Sequence, residues 1–119
     1  MKAARFYDRG DIRIEDIPEP KVLPGTVGIQ VAWCGICGTD LHEFMEGPIF
    51  IPPCGHPHPI SGESAPVTMG HEFSGVVYAV GEGVDDIQIG QHVVVEPYII
   101  ADDVPTGPCL LYTSDAADE

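Results

Sequence analysis

Beyond Lys21 the chain contains no lysine and no arginine. Its five basic residues (Lys2, Arg5, Arg9, Arg13 and Lys21) all fall in the first 21 positions, against 19 acids and a net charge of −14 over 119 residues. Holding a nucleic-acid backbone requires clustered cations that displace condensed counterions, so that class of partner is excluded. The acids fall singly between apolar stretches, the pattern of a solvated surface rather than of an acidic tail. No apolar run is long enough to span a bilayer, so no membrane partner is expected. The opening residues, Met1-Lys2-Ala3-Ala4-Arg5-Phe6, are too short and too polar for the apolar stretch of a secretory signal, which leaves a cytoplasmic location as the expectation. Cysteine is sparse, with four residues. Without an export signal these are expected to be reduced thiols with metal or catalytic roles, not a disulfide frame. Internal repeats are also lacking.

Apolar residues make up 44% of the chain, enough for one packed core, and the length corresponds to one domain or part of one. Met1 to Tyr7 reads as a strand, and Asp11 to Ile17 alternates apolar and polar residues as a half-buried strand does. Pro18, Pro20 and Pro24-Gly25 punctuate a turn. Val27 to Trp33 alternates again and runs into Cys34. Thr39 to Met45 can form a short helix capped by Thr39 or Asp40. Between Gly47 and Pro66 lie six prolines and three glycines, so a surface loop is expected there. Phe73 to Val80 and His92 to Val95 read as strands, separated by a turn at Gly81 to Asp86. Short strands, many turns and almost no helix give a mainly β fold, a small barrel. Gly81-x-Gly83 fails as a dinucleotide loop, because Asp86 stands where a third glycine belongs and a strand follows in place of a helix.

The last stretch, Cys109 to Glu119, looks foreign to the rest. It resembles the in-frame translation of a sequencing adapter, a kind of scar that fold reasoning sets aside. Residues 1–108 are therefore expected to form the domain and 109–119 a non-native tail, which also removes Cys109 as a ligand.

Two pieces carry the chemistry. Cys37-Gly38-Thr39-Asp40-Leu41-His42 offers a thiol, a hydroxyl, a carboxyl and an imidazole within six residues, and Gly70-His71-Glu72 sets an imidazole beside a carboxylate at the start of an apolar strand. A thiolate and a neutral imidazole from separate segments make half of an open zinc site, which suits chemistry on an alcohol or carbonyl. Cys34-Gly35-Ile36-Cys37 is ambiguous. A redox pair would open a helix in a βαβ unit, which is missing. A zinc knuckle would need Cys54 with His56 or His58. The remaining reading makes Cys37 a ligand and Cys34 a buried strand-end residue. His71 is the second ligand, with Gly70 and Gly75 permitting close backbone approach. Glu72 either completes the metal's ligands or accepts a proton. Thr39 and His42 form a proton relay from a bound alcohol; taken singly, Thr39 could be a helix cap and His42 an exposed polar residue.

These residues resemble the zinc-dependent medium-chain alcohol and polyol dehydrogenases. Gly70-His71-Glu72-x-x-Gly75-x5-Gly81-x-x-Val84 matches that family's zinc signature, and Cys34 to His42 its first-ligand segment. Pro48-Ile49-Phe50-Ile51-Pro52, His58-Pro59 and Ala65 to Met69 resemble the members acting on butanediol more than those acting on sorbitol or threonine. The resemblance spans Met1 to Pro108. It implies an N-terminal GroES-like β-barrel catalytic domain, cut before a Rossmann domain that binds NAD(H). It implies further that Cys37 and His71 are catalytic zinc ligands, that Asp40 orients the site and that Glu72 is an acid near the metal. Thr39 and His42 would relay the proton. The substrate would be a small alcohol or diol, and the whole protein a homo-oligomer. A third ligand and the nicotinamide domain would lie beyond residue 108. This chain departs from the pattern at Gly90-Gln91-His92-Val93, where most members have Gly-Asp-Arg-Val, and it lacks the cysteines of a structural zinc lobe. The chain alone is expected to be inactive.

Overall fold

The structure, a computed structural model, describes residues 1–99 and 109–110. In chain order the elements are β1 (Lys2–Asp8), β2 (Asp11–Asp16), β3 (Val27–Gly35), α1 (Gly38–Glu46), β4 (Val67–Thr68), β5 (Glu72–Val80), β6 (His92–Val94), β7 (Tyr98–Ile99) and β8 (Cys109–Leu110). Two three-stranded sheets form, in the orders β2-β1-β4 and β3-β5-β6, and β7 pairs with β8. All described pairings are antiparallel. The expected tail lies outside the described residues except for Cys109–Leu110, which pair with Tyr98–Ile99. Among the described residues no helix is long and apolar enough to cross a membrane.

One core cluster packs on β1 and β4, and Val27, Phe73 and Val77 are also buried, on β3 and β5. Phe6, Val67, Ile51 and Ala65 are buried together, with Met69 packed against them. Burying a phenylalanine or isoleucine side chain contributes about 1.5–3 kcal/mol each. Two of these four residues come from the segment expected to be a surface loop, which is a correction. Residues 47–66 contain no strand or helix, yet Ile51 and Ala65 are inside the core. Proline-rich chain has no periodicity to reveal an inward side, and its backbone is held here by bonds from elsewhere. Ala65 donates to Pro52 O at 2.8 Å, and Ile51 donates to the Glu43 carboxylate at 2.8 Å.

A second correction concerns β2. It was expected to be half-buried, but Ile12 and Ile14 are 38% and 70% exposed. The strand lies at the edge of its sheet, so its alternating residues have one paired neighbour and little to pack on.

The β3–β5 ladder positions the chemistry. It runs from Val27↔Val80 to Gly35↔Glu72, with irregularities after Gly28 and after Val31. The exit of β3 towards Cys37 is thereby set beside the entry of β5 from His71. Close approach at the second irregularity requires Gly75, since a Cβ there would stand 2.4 Å from Gln30 O.

Candidate metal centre

Helix α1 is capped by Cys37, not by Thr39 or Asp40 as expected. Cys37 is the extended N-cap residue, and Asp40, in the first turn, accepts the Cys37 N–H through Oδ2 at 2.9 Å. This is the back-reaching half of a capping box, with a carboxylate where the helix dipole favours negative charge. Arg9 closes the other end by donating to Glu46 O at 2.9 Å and Gly47 O at 3.4 Å. The helix lies with its polar side inward. Asp40 and Glu43 are its buried residues, whereas Leu41 and Met45 are 54% and 57% exposed.

Gly70 turns the chain into β5 with φ +105°, a conformation suited to glycine. A Cβ on Gly70 would lie 2.6 Å from Cys34 Sγ, so this approach too depends on glycine. The turn brings His71 to Cys37. One donor atom each from Cys37, His71 and Glu72 lies within 4.8 Å of the others. His71 is buried, Cys37 half-buried and Glu72 exposed. Zinc bonds of about 2.0–2.3 Å place tetrahedral donors roughly 3.3–3.8 Å apart, so the three atoms are within about an ångström of closing on one ion. A thiol, an imidazole and a carboxylate are also the donor types zinc takes in open sites. The residues fit the ion.

The neighbours of His71 are fixed. Asp40 Oδ1 faces its Nδ1 at 3.4 Å, and Thr39 Oγ1 lies 3.1 Å from its Nε2. A proton on Nδ1, facing the carboxylate, would leave the Nε2 electron pair for either a metal or a hydrogen bond from the Thr39 hydroxyl. Asp40 thus touches the backbone of one candidate ligand and the ring of another. His42 stands apart from the group, on the exposed side of α1, with Nδ1 4.0 Å from Glu46 Oε2.

Cys34 was expected to be a buried strand-end residue and is instead exposed. It is paired with Phe73 one residue before β3 ends, and no described residue buries that strand end. Its sulfur is nonetheless tucked against Gly70, and this partial burial, with the Asp40 and Glu72 charges, raises the thiol pKa. Cys34 and Cys54, both exposed, lie outside the donor group, so the knuckle arrangement does not form among the described residues. A cavity of about 490 Å³ opens beside the donors, its lining including His71 and Glu72 together with the apolar Trp33, Val94, Val95 and Pro97. The sequence reading missed Glu43, whose burial no local pattern announces.

A small antiparallel β domain with such a donor set at the join of two segments defines a class, and comparison with known proteins identifies it. The alcohol dehydrogenase GroES-like domain matches residues 23–117. The chain belongs to this family. It is 92% identical over 107 residues to an (R,R)-butanediol dehydrogenase of Neisseria gonorrhoeae, covering 90% of this chain and 30% of that protein. It is 64% identical over 97 residues to an (R,R)-butanediol dehydrogenase of Bacillus subtilis, covering 82% of this chain and 28% of that protein. The crystal structure of 2R,3R-butanediol dehydrogenase from Bacillus subtilis matches with a TM-score of 0.86 at 52% identity, over 96% of this chain and 34% of that one. The chain thus spans under a third of the length of the curated relatives it matches.

Proposed function

We propose that the chain is the N-terminal, zinc-binding catalytic part of a nicotinamide-dependent secondary alcohol dehydrogenase that interconverts (R,R)-2,3-butanediol and acetoin. The observation that carries the reading is the convergence of Cys37, His71 and Glu72 within 4.8 Å in a domain of this family. The high identity to the butanediol dehydrogenases supports the choice of substrate over sorbitol or threonine.

Cys37, His71 and Glu72 hold the metal in this reading. Zinc bound there supplies Lewis-acid polarisation of the substrate oxygen, which lowers the pKa of an alcohol. NAD(H), carried by the part of the protein outside this chain, supplies the hydride acceptor. Asp40 keeps the His71 ring in one orientation and tautomer. The Thr39 hydroxyl, beside His71 Nε2, takes the proton from the alcohol, and His42, one turn on, passes it to solvent. Trp33 and Val94 give the site an apolar border. Residues 1–108 form the domain in this reading, and 109–119 are a tail of different origin. The whole protein is a cytoplasmic homo-oligomer.

The test is a substrate panel on a protein of the relatives' full length that carries this domain. Preferred oxidation of (R,R)-2,3-butanediol is expected, and preferred oxidation of sorbitol or threonine would overturn the substrate assignment. The 119-residue chain itself is expected to show no turnover with NAD+ and butanediol.

A further inference from the structure

Glu43 is the most completely buried charged residue of the described chain, with no exposed surface. Burying a carboxylate without compensation costs several kcal/mol. The compensation here is a row of backbone donors. Ile49 N–H donates to Oε2 at 2.8 Å, Ile51 N–H donates to Oε1 at 2.8 Å, and Phe50 N–H also donates to Oε1. Three successive amides thus form a nest around one anion. Gly47 allows it, since a Cβ there would come within 2.4 Å of Glu43 Oε2.

The connections run both ways from this anchor. Along α1, Glu43 lies three and four residues beyond Asp40 and Thr39, on the same side of the helix. Across the anchor, Ile51 packs with Phe6, Ala65 and Val67, and Met69 joins that cluster immediately before Gly70-His71. The segment bearing Cys37, Thr39 and Asp40 and the segment bearing His71 therefore meet through the Glu43 carboxylate and Ile51.

We infer that Glu43 is a positioning residue of the candidate metal centre, setting helix α1 against the His71 segment so that Cys37 and Thr39 meet the imidazole. This rests on the zinc reading above and adds a residue that touches neither metal nor substrate. A glutamine at 43 keeps the shape but turns an NH2 towards the backbone donors, so one arm of the nest becomes repulsive.

The test uses the full 119-residue chain and cobalt(II), whose visible bands report ligand geometry. Glu43→Gln is expected to weaken cobalt binding roughly ten-fold, at the lower end of what loss of a supporting partner costs, and to shift the bands. Glu46→Gln, an exposed acid on the same helix, leaves both unchanged. Unaltered affinity and spectrum in a folded Glu43→Gln chain would overturn the inference. If Glu43→Gln fails to fold, the wild-type chain decides. Coupling is reciprocal, so cobalt must slow hydrogen exchange at the Ile49–Ile51 amides, and unchanged exchange overturns the claim. If the wild-type chain binds no cobalt, the metal reading falls by itself. Glu43 is then judged by the His71 ring-nitrogen shifts, which Glu43→Gln moves if Glu43 positions the helix and leaves in place if it does not.

Discussion

The sheet β2-β1-β4 packs chain from residues 47–66 on its inner face, whereas among the described residues nothing covers the β3-β5-β6 strand ends beside the candidate ligands. On the first, Phe6, Ile51 and Val67 are at most 1% exposed; on the second, Trp33 and Val94 are 80% and 82% exposed. Both sheets are three-stranded and antiparallel. The difference lies in what packs on them: Val27, Phe73 and Val77 are buried on the second sheet too, so the contrast is between a covered face and an open strand end beside the donors. An apolar surface next to polar donors is a binding surface or an aggregation hazard, depending on what covers it.

The largest effect should come from the closed side. Phe6→Ala removes a fully buried ring, and a loss of about 3–5 kcal/mol in urea unfolding is expected. A loss below about 1 kcal/mol would show that the core is not where the burial places it. Gly47→Ala comes next. Its Cβ would meet Glu43 O at 2.3 Å, so overpacking of about 1–3 kcal/mol is expected as a lowered thermal midpoint. Smaller still is a pH effect at the open side. The folded Cys34 pKa is raised by burial and by nearby acids. Between the ordinary thiol value of about 8.5 and the raised one, the unfolded chain has lost a proton that the folded chain keeps, so stability falls as pH rises. In metal-free, reduced protein, Cys34→Ser should flatten the decline in urea midpoint between neutral and alkaline pH; an identical decline would remove the sulfur from the account. Trp33→Ala should leave stability within about 0.5 kcal/mol while lowering light scattering of concentrated chain. A loss like that of Phe6→Ala would erase the contrast between the sheets.

Much of this was legible in the residues. Alternation located β2 and β3, β-branched residues marked β5, and the pairing of Cys37 with His71 followed from donor chemistry and family resemblance. Tertiary structure supplied what local pattern could not. Leu41 and Met45 look like the inward stripe of α1, but the amides of residues 49–51 and the His71 ring pull Glu43 and Asp40 inward instead. Ile51 and Ala65 entered the core from a stretch whose prolines hide any period. Cys34 was read as buried because it ends an apolar strand, and that strand end has no described cover. Thr39 lost the cap to Cys37 because the Asp40 carboxylate reaches back to the earlier amide.

The most direct test of the central claim is X-ray absorption at the zinc edge on the zinc-loaded chain. The expected result is one sulfur at about 2.3 Å, from Cys37, with nitrogen and oxygen at about 2.0–2.2 Å completing the shell. A shell with two or more sulfurs, or with none, would contradict a centre built on Cys37, His71 and Glu72.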